Sequence, residues 1–154
     1  MRVPVARYVW TCRHGVRGLS CLGMSALQPY LMFPGTTREA LSRYAEIFGG
    51  GVSLNTFEAF GRDDGPAEAI AHGEVTGPVS LGAADVAGEE QPLRMQGVRF
   101  ALLGTADPEK VRTWFASLAE GGTVTDDLQK RPWGDWDGSV SDRFGVPWLI
   151  GFQE

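Results

Sequence analysis

The chain has 154 residues, 43% of them hydrophobic and 21% charged, with a formal net charge of −5. That length suits one globular domain, or two half-domains sharing an interface. The acidic balance argues against nucleic acid, which needs a basic face, and no apolar run approaches the ~20 residues of a membrane span.

The first 23 residues differ from the rest. They carry Arg2, Arg7, Arg13 and Arg17, no acid, both cysteines (Cys12 and Cys21) and His14, and beyond them 10 basic residues face 19 acidic ones. A secretory signal would need an apolar stretch of about 7–15 residues, which is missing. A zinc site begun by Cys12, Cys21 and His14 would need a second ligand pair at finger spacing, and none follows. The segment is therefore expected to be an unpacked extension, with Met24 as a natural start. The rest then contains no cysteine, which fits a cytoplasmic protein.

From Pro29 to Phe33 the pattern is a strand, with proline tolerated at its first residue. Thr36 or Thr37 is expected to cap a helix whose apolar stripe is Leu41, Tyr44, Ala45 and Phe48, stopped by Gly49-Gly50-Gly51. Val52–Phe60 follows as a strand, then a turn-rich loop from Gly61 to Pro66. Glu68–Val75 and Val79–Ala84 are two further strands around Thr76-Gly77-Pro78. Residues 85–92 are acidic and aperiodic, which suits a linker, so the modules are placed at 24–87 and 88–154. The second opens with a strand at Gly97–Leu103. Asp107-Pro108-Glu109 starts its helix with a side-chain cap, a proline at the first position and an acid at the positive end of the dipole. Strands are expected at Thr123–Leu128, Ser139–Asp142 and Val146–Phe152, with an aromatic, glycine-rich loop at 132–138.

The two halves repeat each other at a spacing of 70. Tyr30–Phe33 matches Phe100–Leu103, and Leu41, Tyr44, Ala45 and Phe48 match Val111, Trp114, Phe115 and Leu118. A strand, a capped helix and three strands written twice indicate a duplicated α+β module. Two such modules are expected to form a curled mixed sheet around a groove.

Local motifs narrow this further. Pro29-Tyr-Leu-Met-Phe-Pro-Gly35, Arg38-Glu-Ala-Leu41 with Tyr44 and Phe48-Gly49-Gly50, Ala69-Ile-Ala-His72, Trp133-Gly134 and Asp142-Arg-Phe-Gly-Val-Pro-Trp-Leu-Ile150 stand in a characteristic order. Together they resemble the PhnB-like branch of the vicinal oxygen chelate superfamily, with glyoxalase I, bleomycin-resistance proteins and extradiol dioxygenases. The resemblance spans about residues 28–152. It implies the glyoxalase-like fold of two βαβββ units. The Gly-Ala-rich segment 76–87 departs from the family's usual Gly-Gly hairpin. A methyl-donor site would want a glycine-rich turn from strand to helix. Gly49–Gly51 instead follows a helix, so that activity is not expected.

Metal-dependent relatives place four His or Glu ligands on the first and last strands of the two modules, where the ion polarises vicinal oxygens. The resemblance puts those positions near Pro29, Ser80, Arg99 and Leu149. None is a usual ligand type, so the quartet is expected to be missing. A different divalent-metal set would use His72 and Glu74, which share a strand face, with Glu58 from the neighbouring strand. Without metal, His72 suits proton transfer. Single histidines on half-polar strands are more often ordinary hydrogen-bonded residues.

Other candidates are Trp133 and Trp136, which offer rigid surfaces for an organic ligand or plug a sheet edge. Alternation puts Arg99 on the sheet face opposite Val98, Phe100 and Leu102, toward solvent or, as the resemblance implies, toward the concave groove, where it would suit a carboxylate or phosphonate. Asp142 precedes a turn and suits an Asx-type hydrogen bond better than catalysis. Two functions follow. One is a metal-free homodimeric protein that binds a small organic ligand in the groove between its modules. The other is a glyoxalase- or dioxygenase-type enzyme (lyase, isomerase or dioxygenase) using His72.

Overall fold

The computed structural model describes residues 27–153. The N-terminal cysteines, His14 and the expected start at Met24 lie outside them. The first module runs β1 (Tyr30–Phe33), α1 (Thr37–Phe48), β2 (Gly51–Thr56), β3 (Ile70–Thr76) and β4 (Leu81–Asp85). The second runs β5 (Phe100–Leu103), α2 (Pro108–Ala119), β6 (Thr123–Lys130), β7 (Trp136–Ser141) and β8 (Pro147–Phe152). Each module makes one four-stranded sheet, ordered β1-β4-β3-β2 and β5-β8-β7-β6. The first strand pairs parallel with the last, and the remaining pairs are antiparallel. This is the duplicated βαβββ architecture expected from the repeat. No helix among the described residues is long and apolar enough to cross a membrane.

Each helix lies on its own sheet. Ala40, Leu41, Tyr44 and Phe48 are buried on α1, and Val111, Trp114 and Leu118 on α2, at the three- and four-residue spacings of one helical face. Leu41 occupies the space above Gly73, where an added Cβ would stand 2.4 Å from its Cδ1. Gly50 meets the same limit from the backbone: a Cβ there would lie 2.1 Å from the Thr76 carbonyl oxygen. The glycine run after α1 thus stops the helix and lets it cross closely over the β3–β4 turn.

Several boundaries differ from the sequence reading. Asp107 caps α2 as expected, accepting from the Lys110 N–H at 2.9 Å behind Pro108. On α1, Thr36 occupies the cap position without a side-chain cap bond. The Asp85 carboxylate replaces it, accepting from the N–H groups of Thr37 at 3.0 Å and Ile70 at 2.7 Å. Asp85 is therefore the buried last residue of β4, and the linker begins after it. The strand expected over Val52–Phe60 stops at Thr56, where a bulge at Asn55/Thr56 turns the chain. Phe57 then fills a small separate core with Ala71 and Ala87. Toward the C-terminus, β6 runs two residues further than expected, and β7 begins at Trp136 rather than Ser139.

The modules are joined through their helix-bearing sides, and one continuous core holds residues of both. Phe48 packs edge-on to Trp114 with ring centroids 5.2 Å apart and lies 5.3 Å from Trp148. Tyr44 meets Trp148 at 5.6 Å and Phe144 at 5.9 Å. Between Tyr44, Leu118 and Asp142 only about 10 Å³ of cavity is left. The space between the two modules of one chain is thus filled by their own side chains and is not the expected ligand groove.

A buried carboxylate organises this junction. Asp142 Oδ1 accepts from the N–H groups of Phe144 at 2.9 Å and Val146 at 3.0 Å, the Asx-type turn. Its Oδ2 accepts from the Tyr44 hydroxyl at 2.7 Å and the Trp148 indole N–H at 2.9 Å. Burial, then the Asp142 charge and hydrogen bond, push ionisation of the Tyr44 phenol far above its ordinary range. Tyr44 therefore stays a donor, and the bond ties α1 of the first module to the β7–β8 turn of the second.

Candidate functional site

With the helix sides packed together at the junction, each sheet keeps its opposite face uncovered by a helix. Alternation assigns the faces. In the first sheet Leu31, Phe33, Val75, Leu81 and Ala83 are buried under the helix. Tyr30, Met32, Asn55, His72, Glu74 and Gly82 take the other parity.

There the Tyr30 hydroxyl lies 2.9 Å from His72 Nδ1, the donor being set by the imidazole tautomer, and the two rings stack with centroids 5.7 Å apart. The Tyr30 ring covers Gly82, where a Cβ would come within 2.7 Å of Cδ2. Gln28 donates to Glu74 at 3.0 Å. Tyr30 is a partner of His72 that the sequence reading did not single out. Its signal was its parity on β1, opposite to Leu31 and Phe33.

The alternative metal set is not assembled. His72 and Glu74 do share the open face, but Asn55 pairs with His72 across the β2–β3 ladder. Glu58 falls in the turn beyond the bulge, its N–H bonded to the Ala67 carbonyl. Among the described residues no three His, Cys, Asp or Glu side chains are grouped to hold a metal ion. At the positions implied for the superfamily quartet stand proline, serine, arginine and leucine. The donor set does not fit a divalent ion there.

On the second sheet, Leu102, Val140, Trp148, Ile150 and Phe152 are buried on the helix side. The other face carries a charged ladder. Arg131 donates from Nε to Asp137 at 2.9 Å and from Nη2 at 2.6 Å, and also bonds Asp126. The Arg131 bond holds the Asp126 carboxyl below the usual carboxylate range, with a smaller contribution from the charge of Arg99. Arg99 is thus an exposed residue close enough to this ladder to act on Asp126.

At the end of this sheet lies a hollow of about 410 Å³, lined by Trp133, Asp135, Trp136, Asp137, Leu103 and Phe152 among others. Gly151 also contributes to its lining. The two tryptophans play different parts. Trp136 belongs to β7, stacks on Phe152 with centroids 5.8 Å apart and carries the Arg112 guanidinium 4.3 Å from its ring centre. Its Nε1 is buried with no hydrogen-bond partner. Trp133 sits on the β6–β7 loop and is 69% exposed. That loop is closed by Gly134 N–H to the Arg131 carbonyl at 2.9 Å and Arg131 N–H to the Asp135 carbonyl at 2.7 Å. Trp133 therefore stands on an ordered turn rather than a slack one.

A larger hollow of about 560 Å³ lies at the start of α1 between Arg38, Glu39, Ser42 and Glu68. It is on the helix side of the sheet, away from His72.

No protein-family model matches the chain. Protein YjdN of Escherichia coli (strain K12) is 28% identical over 139 residues, covering 80% of this chain and 92% of that protein. Protein PA1353 from Pseudomonas aeruginosa is similar in structure, with a TM-score of 0.68 and 30% identity over 83% of this chain and 98% of that one. The PhnB protein of Bacillus cereus shares the fold, with a TM-score of 0.66 and 20% identity over 82% and 98% of the two chains. With its twice-used βαβββ unit, the chain has the duplicated α+β fold that the resemblance implied, the fold of the PhnB protein of Bacillus cereus.

Proposed function

We propose that this is a cytoplasmic, metal-free protein that binds a small organic ligand at the end of its second sheet, with the hollow beside Trp133 as the main contact. The observation that carries this reading is the hollow itself. Its volume is within the range of small-molecule sites, its walls are aromatic and aliphatic, and a few polar groups converge on it. The packing of aromatic side chains at the junction between the modules argues against a ligand there. A homodimer is part of the proposal. The edge strands β1 and β5 expose Tyr30 and Leu103, and a second copy covering them would deepen the shallow faces into a groove.

The test is a thermal-unfolding screen of the purified chain against divalent metals, thiol conjugates, phosphonates and aromatic antibiotics. An aromatic ligand present at about 100 times its Kd should add about 2.7 kcal/mol, or roughly 5–10 °C for a chain of this size. Trp133→Ala should abolish that gain without lowering the midpoint of the free protein. A gain that survives Trp133→Ala, or no gain from any compound, would overturn the assignment.

The second reading, an enzyme of glyoxalase or dioxygenase type, is favoured by one observation, the hydrogen bond that fixes His72 against Tyr30. A base held in one orientation is what proton transfer requires. Stoichiometric metal in the same preparation, lost on His72→Ala, would favour it over metal-free binding.

A further inference from the structure

Taking the hollow beside Trp133 as a ligand site, we infer that its ligand is an organic cation, an ammonium group attached to an aromatic or branched apolar body. Two acids, Asp135 and Asp137, line the hollow, and no lysine or arginine does. Asp137 is already held by Arg131 through Nε and Nη2. The Asp135 carboxylate has no hydrogen bond or ion pair among the described residues, although the residue is half-buried, and only its backbone carbonyl is engaged. It therefore carries an uncompensated negative charge beside apolar walls, where water screens it less than on an open surface.

Trp133 supplies the second element. An indole face attracts a cation through its quadrupole, and tryptophan does so best among the aromatic side chains. The protein already uses this chemistry one strand away, where Arg112 covers the Trp136 and Phe152 rings at 4.3 and 4.8 Å. That pair is occupied, whereas Trp133 is largely exposed and stands two residues from Asp135 on the same closed turn. Leu103, 55% exposed and paired with Gly151 across β5 and β8, adds an apolar edge to the hollow. A flat or branched apolar body fits against it, with its charge toward Asp135 and Trp133. An anionic ligand would meet the Asp135 carboxylate and be repelled.

The test uses three probes of similar size on the full chain: benzyltrimethylammonium, benzyl alcohol and phenylphosphonate. Binding is followed by tryptophan fluorescence and calorimetry at low and at moderate salt. The cation should bind about tenfold more tightly than the alcohol, the phosphonate should bind least, and added salt should weaken the cation alone. Asp135→Asn should bring the cation to within about twofold of the alcohol while leaving the alcohol unchanged. Trp133→Leu should weaken the cation most. Equal binding of cation and alcohol, lost in Trp133→Leu, would overturn the cation while leaving the hollow as a ligand site. Tighter binding of the phosphonate would also overturn it. Binding of no probe would count against both readings.

Discussion

Asp142→Ala should cost about 4 kcal/mol or more and lower the thermal midpoint by roughly 10–15 °C. Its carboxylate accepts four hydrogen bonds in a site 6% exposed. Truncation strands the Tyr44 hydroxyl and the Trp148 indole N–H, each left without an acceptor at about 1–3 kcal/mol. It also frees the Phe144–Val146 turn. Tyr44→Phe removes one donor from a carboxylate that keeps three, so its loss should be about 1–2 kcal/mol. Chemical denaturation of both variants checks the order. A loss below about 1 kcal/mol for Asp142→Ala would mean that the turn holds its shape without the carboxylate.

Phe48→Ala should be about as damaging, at about 3–5 kcal/mol, for a different reason. Phe48 is 3% exposed and reaches from α1 into Trp114 and Trp148 of the second module. Its removal would open a cavity at the junction that the two tryptophans, pinned by α2 and by the bond to Asp142, can only partly refill. The loss should appear as one cooperative transition shifted to lower denaturant, because the core is shared by both modules. Two separated transitions in the variant or in the parent chain would show that the modules are stabilised independently, against the single core described above.

These two residues mark the limit of what the sequence reveals. Local patterns were readable. The 70-residue repeat gives β1 and β5 at matching positions, and Asp107-Pro108 announces α2 because a cap is a contact between near neighbours. The α1 cap was not readable, since Asp85 comes from 48 residues away. Phe48, Trp114 and Trp148 each look like core of their own module, and nothing in their spacing says that the three meet. Their meeting is what fills the junction and moves the candidate site away from it.

The site residues follow the same division. His72 and Glu74 share a face as the period of two requires, but the bulge at Asn55/Thr56 removes Glu58. Trp136, placed in a loop with Trp133, begins β7 and is held by its pairing with Phe152. Tyr30 was overlooked because its partner His72 lies two strands away in the sheet order, across β4.

The location of the ligand is the claim on which the functional account rests. An ¹H–¹⁵N correlation spectrum recorded during titration with a library of small aromatic fragments addresses it directly. The account predicts shifts of the Trp133 indole signal and of the amides of Leu103, Gly104, Asp135 and Gly151, with Phe48 and Trp114 unmoved. Shifts confined to the helix–helix junction, or to the hollow at the start of α1, would contradict it.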